Sequence, residues 1–441
     1  MRSLNERTIL ERLRRGGPAS RPRLAEETGL SRPTVGAVLT VLEQAGLVRA
    51  VGPSRQQRGR SALIFEHLPG DGHVVGVDVG HGWLRCSVAD LSGTVVARRD
   101  IRNAARSAPN LVRMVSALAR GVARSAGVGW PEVAWTVVGS PGVFDPRDGT
   151  LLLSSRLRRW GRPGLLDSLR TELGDRTSVA NDANLAALGE LRSGWGATFD
   201  NFVYLMVGTG LGMGIIVNGK LQVGLRGAAG EVAYLPFGDE ATARPPVSGT
   251  RWGAFEERVS ARGVVQAAVE LGMSSRLSAR QVFDAARRGV APARAAVERE
   301  AERLALVIAA VTAVLDPEAV VMGGGIGGEV ELLREPLEAR LQQLTPFRPR
   351  IVSSELGDEG VLRGAIAFAL ELARDDQESD RPHVPAPDGT PGSSGIGELR
   401  QDSTTSSRSS TARAPAAAPR TPATLPRAAT TSSGTGPRLS R

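Results

Sequence analysis

Arginine carries most of the chemistry available in the first 66 residues. Twelve arginines stand there against six glutamates, and Lys220 is the only lysine of the whole chain. A guanidinium presents planar, forked donors that match phosphate oxygens and the guanine edge. Two groups are spaced to use them. Ser31, Arg32 and Thr34 open a helical pattern, while Arg55, Arg58 and Arg60 lie in the loop GPSRQQRGRS. Farther on, Val207-Gly208-Thr209-Gly210-Leu211-Gly212-Met213-Gly214 is a glycine-rich turn between two strand-like runs. Its backbone N–H groups could approach a phosphate, although such a turn alone is unspecific. Other reactive types are scarce. Cys86 is the single cysteine and the histidines are His67, His73, His81 and His383. An internal disulfide and a multi-cysteine zinc site are therefore excluded, which fits a reducing compartment. Cys86 falls in an alternating apolar run and reads as core.

The N-terminal arginines need a scaffold, and the apolar spacing supplies one. Leu4, Ile9, Leu10 and Leu13 mark an amphipathic first helix ending at Gly16-Gly17-Pro18. Ser20 can cap a short second helix through Thr28, and Gly29 supplies the positive φ of a tight turn. Ser31 caps a third helix that tolerates Pro33 in its first turn and buries Val35, Val38, Leu39 and Leu42. Counting from Arg21, Ala25 is fifth, Gly29 ninth and Val35 fifteenth, the positions where two crossing helices need small, turning and β-branched residues. That spacing defines a helix-turn-helix. The strand-like runs Leu47 to Val51 and Ala62 to Phe65 flank the basic loop and make a wing suited to a minor groove or to the phosphate backbone. The third helix then enters the major groove, with Arg32 and Thr34 nearest the bases. Their alternative roles are a phosphate contact for Arg32 and a cap for Thr34.

Composition divides the 441 residues into three segments. Residues 1–70 form the winged domain, and the run Pro69-Gly70-Asp71-Gly72 links it to an α/β domain over 73–374. From 376 to 441, Ser, Thr, Pro, Ala and Arg dominate, with eight arginines against three acids in 381–441. That segment cannot offset its ordering entropy and is expected to be disordered, as a solubilising tail or a weak DNA tether. The formal charge of +9 thus concentrates at the two ends. No apolar run approaches the roughly 18 residues of a membrane span, and the charged N-terminus lacks a secretory pattern, so cytoplasmic residence without membrane contact is expected.

In the middle segment, β-like runs (Val74 to Val77, Arg85 to Ala89, Ala134 to Val138, Phe202 to Val207, Gly214 to Val217, Ala319 to Met322) alternate with helical ones. Taken in order, GVDVG with Arg85 and Asp90, VVGSPGVFDPRDG, VANDANLAALGE, VGTGLGMGIIVNGKL, GAAGEVAYLPFG and DPEAVVMGGGIGG resemble the ROK family of repressors and sugar kinases. The resemblance implies a two-lobed actin-like ATPase and sugar-kinase fold around a cleft. In kinase members, Asn181 and Asp182 would serve as sugar ligand and general base, Glu231 and Glu256 as further ligands, and Gly208, Thr209 and Gly210 as a phosphate loop. Asp182 suits that role, since a carboxylate beside a sugar hydroxyl accepts its proton as the phosphoryl group transfers.

The departures from the family pattern point away from catalysis. The first phosphate loop, DxGGT in kinases, is Asp78-Val79-Gly80-His81-Gly82, and the imidazole would crowd the phosphates of ATP. The family's zinc histidine is Tyr234, and its three cysteines correspond to Val247, Gly249 and Ala254, so no zinc and no cofactor are expected. An asparagine that contacts sugar in the family is Arg156, whose fork prefers carboxylate or phosphate; an anionic effector, a sugar acid or sugar phosphate, would satisfy it. The expected protein is a repressor acting on double-stranded operator DNA as a homodimer or homotetramer, with a sugar or sugar derivative as effector. An active sugar kinase that also binds DNA is the alternative.

Overall fold

The structure, a computed structural model, describes residues 2–53, 63–67, 72–145, 147, 149–152, 160, 164–236, 255–256 and 258–379. Arg55, Arg58, Arg60, Arg156, Val247, Gly249, Ala254 and the segment 380–441 lie outside the described residues.

Three helices open the chain: α1 (Arg2–Gly16), α2 (Arg21–Thr28) and α3 (Arg32–Gln44). A short strand β1 (Ala19–Ser20) pairs antiparallel with β3 (Leu63–His67), which also pairs with β2 (Val48–Pro53), giving the order β1-β3-β2. Ile9, Leu24, Val35, Leu39, Leu42 and Phe65 close this domain's own core. Gly29 takes φ 70° between α2 and α3, the left-handed turn that the spacing requires. Ser31 caps α3, its Oγ accepting from the Thr34 N–H at 3.3 Å. Ser20 differs from expectation. Its side chain makes no capping hydrogen bond, because its backbone is enlisted in β1 opposite Ile64, and Pro22 removes one of the N–H groups a cap would satisfy.

The first lobe of the larger domain holds β4 (His73–Val79), β5 (Trp83–Asp90), β6 (Val95–Arg102), β7 (Val133–Ser140), the small pair β8 (Val143–Phe144) and β9 (Leu151–Leu152), and β10 (Thr177–Asn181). Its main sheet runs β10-β7-β4-β5-β6, parallel on the β10 side and antiparallel on the β6 side. Valines fill the central strands because both faces are covered. One face takes α4 (Ala108–Ser125) and α5 (Leu165–Leu173), which bury Leu111, Val115, Leu118 and Leu169. Cys86 lies fully buried in this layer, as its apolar run implied. The edge strand β6 is largely exposed and carries Arg98, Arg99 and Arg102, charges that discourage pairing with another chain.

From β10 the chain passes without a loop into α6 (Asp182–Ser193) and then into the second lobe. There β11 (Phe202–Val207), β12 (Leu211–Val217) and β13 (Lys220–Leu221) precede α7 (Ala261–Glu270), α8 (Ala279–Arg287) and α9 (Ala291–Leu315). The elements β14 (Ala319–Gly323), α10 (Gly324–Gly327), α11 (Val330–Leu344) and β15 (Arg350–Ser353) complete it, with sheet order β13-β12-β11-β14-β15. The last helix, α12 (Gly360–Ser379), packs on the other face of the first sheet and along α6. It includes the first four residues assigned to the tail, 376–379, and Asp376 pairs with Arg176 at 2.7 Å, so the composition shift precedes the end of the helix.

The α6–α12 contact is backbone to backbone. A Cβ on Gly364 would lie 1.7 Å from the Leu185 carbonyl oxygen, and one on Gly189 would lie 2.4 Å from that of Gly360. On its opposite side α6 sets Ala183 and Ala187 against Gly212 and Gly214 of β12. Small residues thus let one helix touch both halves of the domain at close range.

Candidate functional site

In the winged domain most described arginines are spent internally. Arg12 and Arg23 converge on Glu27, Arg49 pairs with Glu66 across the wing strands, and Arg21 lies 5.1 Å from the Phe65 ring centroid. Arg32 is exposed at the first turn of α3 and has no side-chain partner among the described residues. Its charge is left for something outside the domain. Thr34 is half-buried and its hydroxyl lies 2.7 Å from Ser31 Oγ, so both hydroxyls are occupied in the cap.

The second site is a cleft of about 730 Å³ lined by residues of both lobes. In its lining, β10 delivers Asn181 and Asp182 to the head of α6. Asn181 caps the helix, its Oδ1 accepting from Asn184 N–H at 2.9 Å while its Nδ2 donates to the Gly142 carbonyl at 3.0 Å. Its amide therefore shapes the cleft wall. Asp182 Oδ1 accepts from the Ala183 N–H at 2.9 Å, which orients the carboxylate at the positive end of α6. Glu256 lines the same cleft and accepts from the Leu211 N–H at 3.2 Å, pinning the start of β12. Glu231 follows Gly230, whose φ of 89° and lack of a Cβ permit contact with the Met213 carbonyl. Asn181, Asp182, Glu231 and Glu256 thus line one cleft, together with Tyr234.

Glu231 is the carboxyl whose ionisation the cleft alters most clearly. Burial pushes Glu231 up to about 7, and the charges of Asp182 and Glu256 add to that effect. The Tyr234 phenol is raised as well, first by burial and then by the two glutamates. Because the Glu231 value lies above that of an unfolded glutamate, its contribution to stability is fully present below the unfolded value and is lost as pH rises through 7. Asp78, held up to about 6 by burial, and Glu300, about 8 for the same reason, act in the same direction. Glu231→Gln is expected to remove about 1 to 3 kcal/mol of the stability decline between pH 5 and 8. Urea melts at several pH values test this, and an unchanged decline would place Glu231 in an ordinary solvated setting.

The glycine turn is held by backbone hydrogen bonds: Gly208 N–H donates to the Gly210 carbonyl at 2.9 Å, and the Gly208 carbonyl accepts from Ala261 N–H at 2.8 Å. Gly208, Thr209 and Gly210 all line the cleft. Gly80 and His81 also line it, so the imidazole of the first loop borders the same space. Behind that loop, Asp78 is buried and receives Arg85 Nη1 at 3.0 Å, while Arg85 also approaches Asp358 and Asp100. Burial nevertheless outweighs the guanidinium in setting the Asp78 value.

Another part of the lining was not anticipated from the residues. Ser278, the cap of α8, and Arg280 and Phe283 within it contribute, as do Gly324, Gly325 and Ile326 of α10. Arg287 is tied to Asp284 and Glu329. The signal available was the pair Ser278 and Gln281, a capping box that fixes the start of α8. Gly324 adopts φ 77° where a Cβ would strike the Val207 carbonyl, which explains the glycine run after β14.

Known proteins share both parts of this arrangement. The family model described as the ROK family matches residues 74–372, and that described as winged helix-turn-helix DNA-binding matches residues 2–49. The chain is 25% identical over 390 residues to a xylose repressor of Caldicellulosiruptor bescii, spanning 84% of this chain and 96% of that protein. It is 30% identical over 257 residues to a glucokinase of Thermotoga maritima, spanning 54% of this chain and 80% of the kinase. A crystal structure of a ROK family transcriptional regulator, a homologue of the E. coli MLC protein, superposes with a TM-score of 0.71 at 20% identity, over 85% of this chain and 97% of that one. The last likeness is one of fold. The family match covers most of the chain and contains every cleft residue named above: the protein is a member of the ROK family, with a winged helix-turn-helix preceding the family domain.

Proposed function

We propose that this chain is a transcriptional repressor of carbohydrate-metabolism genes, with the winged domain on double-stranded operator DNA and the family domain as sensor of a sugar or sugar derivative. The observation that carries the reading is the union, in one chain, of an Arg32 without a side-chain partner among the described residues, on a recognition helix, and a cleft lined by Asp182, Glu231 and Glu256. The relatives named as repressors support it. Three carboxyl groups favour a ligand rich in hydroxyl donors, such as a neutral sugar. The expectation of a sugar acid or sugar phosphate rested on Arg156, outside the described residues. Zinc does not fit the corresponding motif, because a phenol at Tyr234 and the side chains of Val247, Gly249 and Ala254 offer neither thiolate nor imidazole.

One winged helix contacts few base pairs, so the functional unit is a homodimer or homotetramer reading paired half-sites. The sugar acts by binding the DNA-competent and incompetent arrangements with different affinity. Selection of duplexes from a random library by the full chain, repeated with a panel of sugars, tests both halves. The expected result is one paired site whose retention changes with one sugar class; recovery of no preferred sequence would overturn the reading. On the selected site, Arg32→Ala is expected to cost about 1 to 3 kcal/mol of specific binding. An equal loss on random DNA would make Arg32 a phosphate contact.

A second reading, a sugar kinase that also binds DNA, draws on Asp182 and Gly208 to Gly210 lining one cleft. A coupled phosphorylation assay over the same panel separates the two. Turnover that disappears in Asp182→Asn would establish the kinase.

A further inference from the structure

The outward face of α3 holds little that can hydrogen-bond a base. Its inward face buries Val35, Val38, Leu39 and Leu42. Outward, Arg32, Pro33, Ala37, Thr40 and Gln44 are exposed, and Gly36 is partly so. Between Arg32 and Glu43 no residue is charged and none is an amide. The two hydroxyls in that span are also engaged, Thr34 with Ser31 and Thr40 with the Gly36 carbonyl at 3.0 Å. What α3 turns outward between Arg32 and Glu43 is therefore small and mainly apolar.

Gly36 shows that this is not a demand of the fold. It has no positive φ, and a Cβ built on it would meet nothing within 4 Å. Alanine would fit there and is the better helix former, so within the domain the missing side chain is only a cost. The reason lies in whatever approaches α3 from outside. In a helix-turn-helix that surface is the floor of the major groove, and the early turns of the recognition helix come nearest to it. The only apolar group exposed on that floor is the thymine C5 methyl.

Resting on the operator-binding reading above, we propose that α3 reads its operator by apolar contact, packing Pro33, Gly36, Ala37 and the methyl of Thr40 against thymine methyl groups. Arg32 supplies the hydrogen-bonded contact at the start of the helix. Gly36 sets how deeply the helix seats, and Ala37 and Thr40 discriminate thymine from cytosine at the same strand position.

Deoxyuridine isolates the claim, since it keeps every hydrogen-bonding group of thymine and removes only the methyl. With the full chain and the duplex it selects, single thymine-to-deoxyuridine changes are expected to weaken binding about fourfold at one or more positions in each half-site, the size of one buried methyl group. Gly36→Ala is expected to raise the thermal midpoint and to weaken operator binding about tenfold, while leaving affinity for random duplex unchanged. A residue with a purely structural role would not move those readouts in opposite directions. Deoxyuridine duplexes that all bind as the parent does, or a Gly36→Ala chain that binds the operator undiminished, would overturn the proposal while leaving the repressor reading intact. A chain that selects no sequence at all would overturn both.

Discussion

Gly364→Ala is expected to destabilise the protein by about 3 kcal/mol or more, read as a fall in the urea midpoint. The added methyl would fall 1.7 Å from the Leu185 carbonyl oxygen, and the groups around it are backbone. No rotamer change relieves such an encounter, so α12 must lift away from α6 and expose the apolar layer beneath it, where Ala365, Ile366 and Ala369 meet Val74 and Val137. A control fixes the interpretation. Gly121 lies inside α4 with nothing within 4 Å of its Cβ position, and Gly121→Ala should be neutral or stabilising by about 0.5 to 1 kcal/mol. If both substitutions behave alike, the close approach of the two helices is wrong.

The second large effect concerns the sensor. Asp182→Ala is expected to reduce sugar affinity by about 10- to 150-fold, the loss of one hydrogen bond to a charged group, while operator binding without sugar stays unaltered. The same change removes a charge that raises Glu231. The pH at which Glu231 titrates should therefore fall, a signature absent if the variant merely loosens the cleft. Titration calorimetry with the responding sugar gives the first number, and pH-dependent melts give the second. Retained affinity would move the ligand elsewhere in the cleft.

Much of this was readable from residue spacing because local physics dominates there. The helix-turn-helix followed from Ala25, Gly29 and Val35, and its cap and left-handed turn appear at Ser31 and Gly29. The valine-rich strands announced themselves, since both faces are buried. The strand β6 did not, because its exposed Val95, Val96 and arginines carry no burial period. Nor did β1, two residues long and defined only by its partner in β3, which also explains why Ser20 seemed free to cap α2. In the cleft, Asp182, Glu231 and Glu256 were recognisable by resemblance, but the raised ionisation of Glu231 depends on its burial and on distances between segments 25 or more residues apart. The dual engagement of Asn181, and the part of the lining built by α8 and α10, depend in the same way on tertiary placement.

The return of α12 to the first sheet also has a consequence for synthesis. The strands β4 and β7 are finished by residue 140, yet the helix that covers one of their faces spans Gly360–Ser379. A ribosome releases more than 200 residues between the sheet and its cover. Throughout that interval Val74, Ala89, Leu91 and Val137 lack the α12 side chains, among them Ala365, Ile366 and Ala369, that they cluster with in the finished molecule. The first lobe therefore completes its core last although its sheet emerges early, and the delay gives chaperones a defined apolar surface to hold.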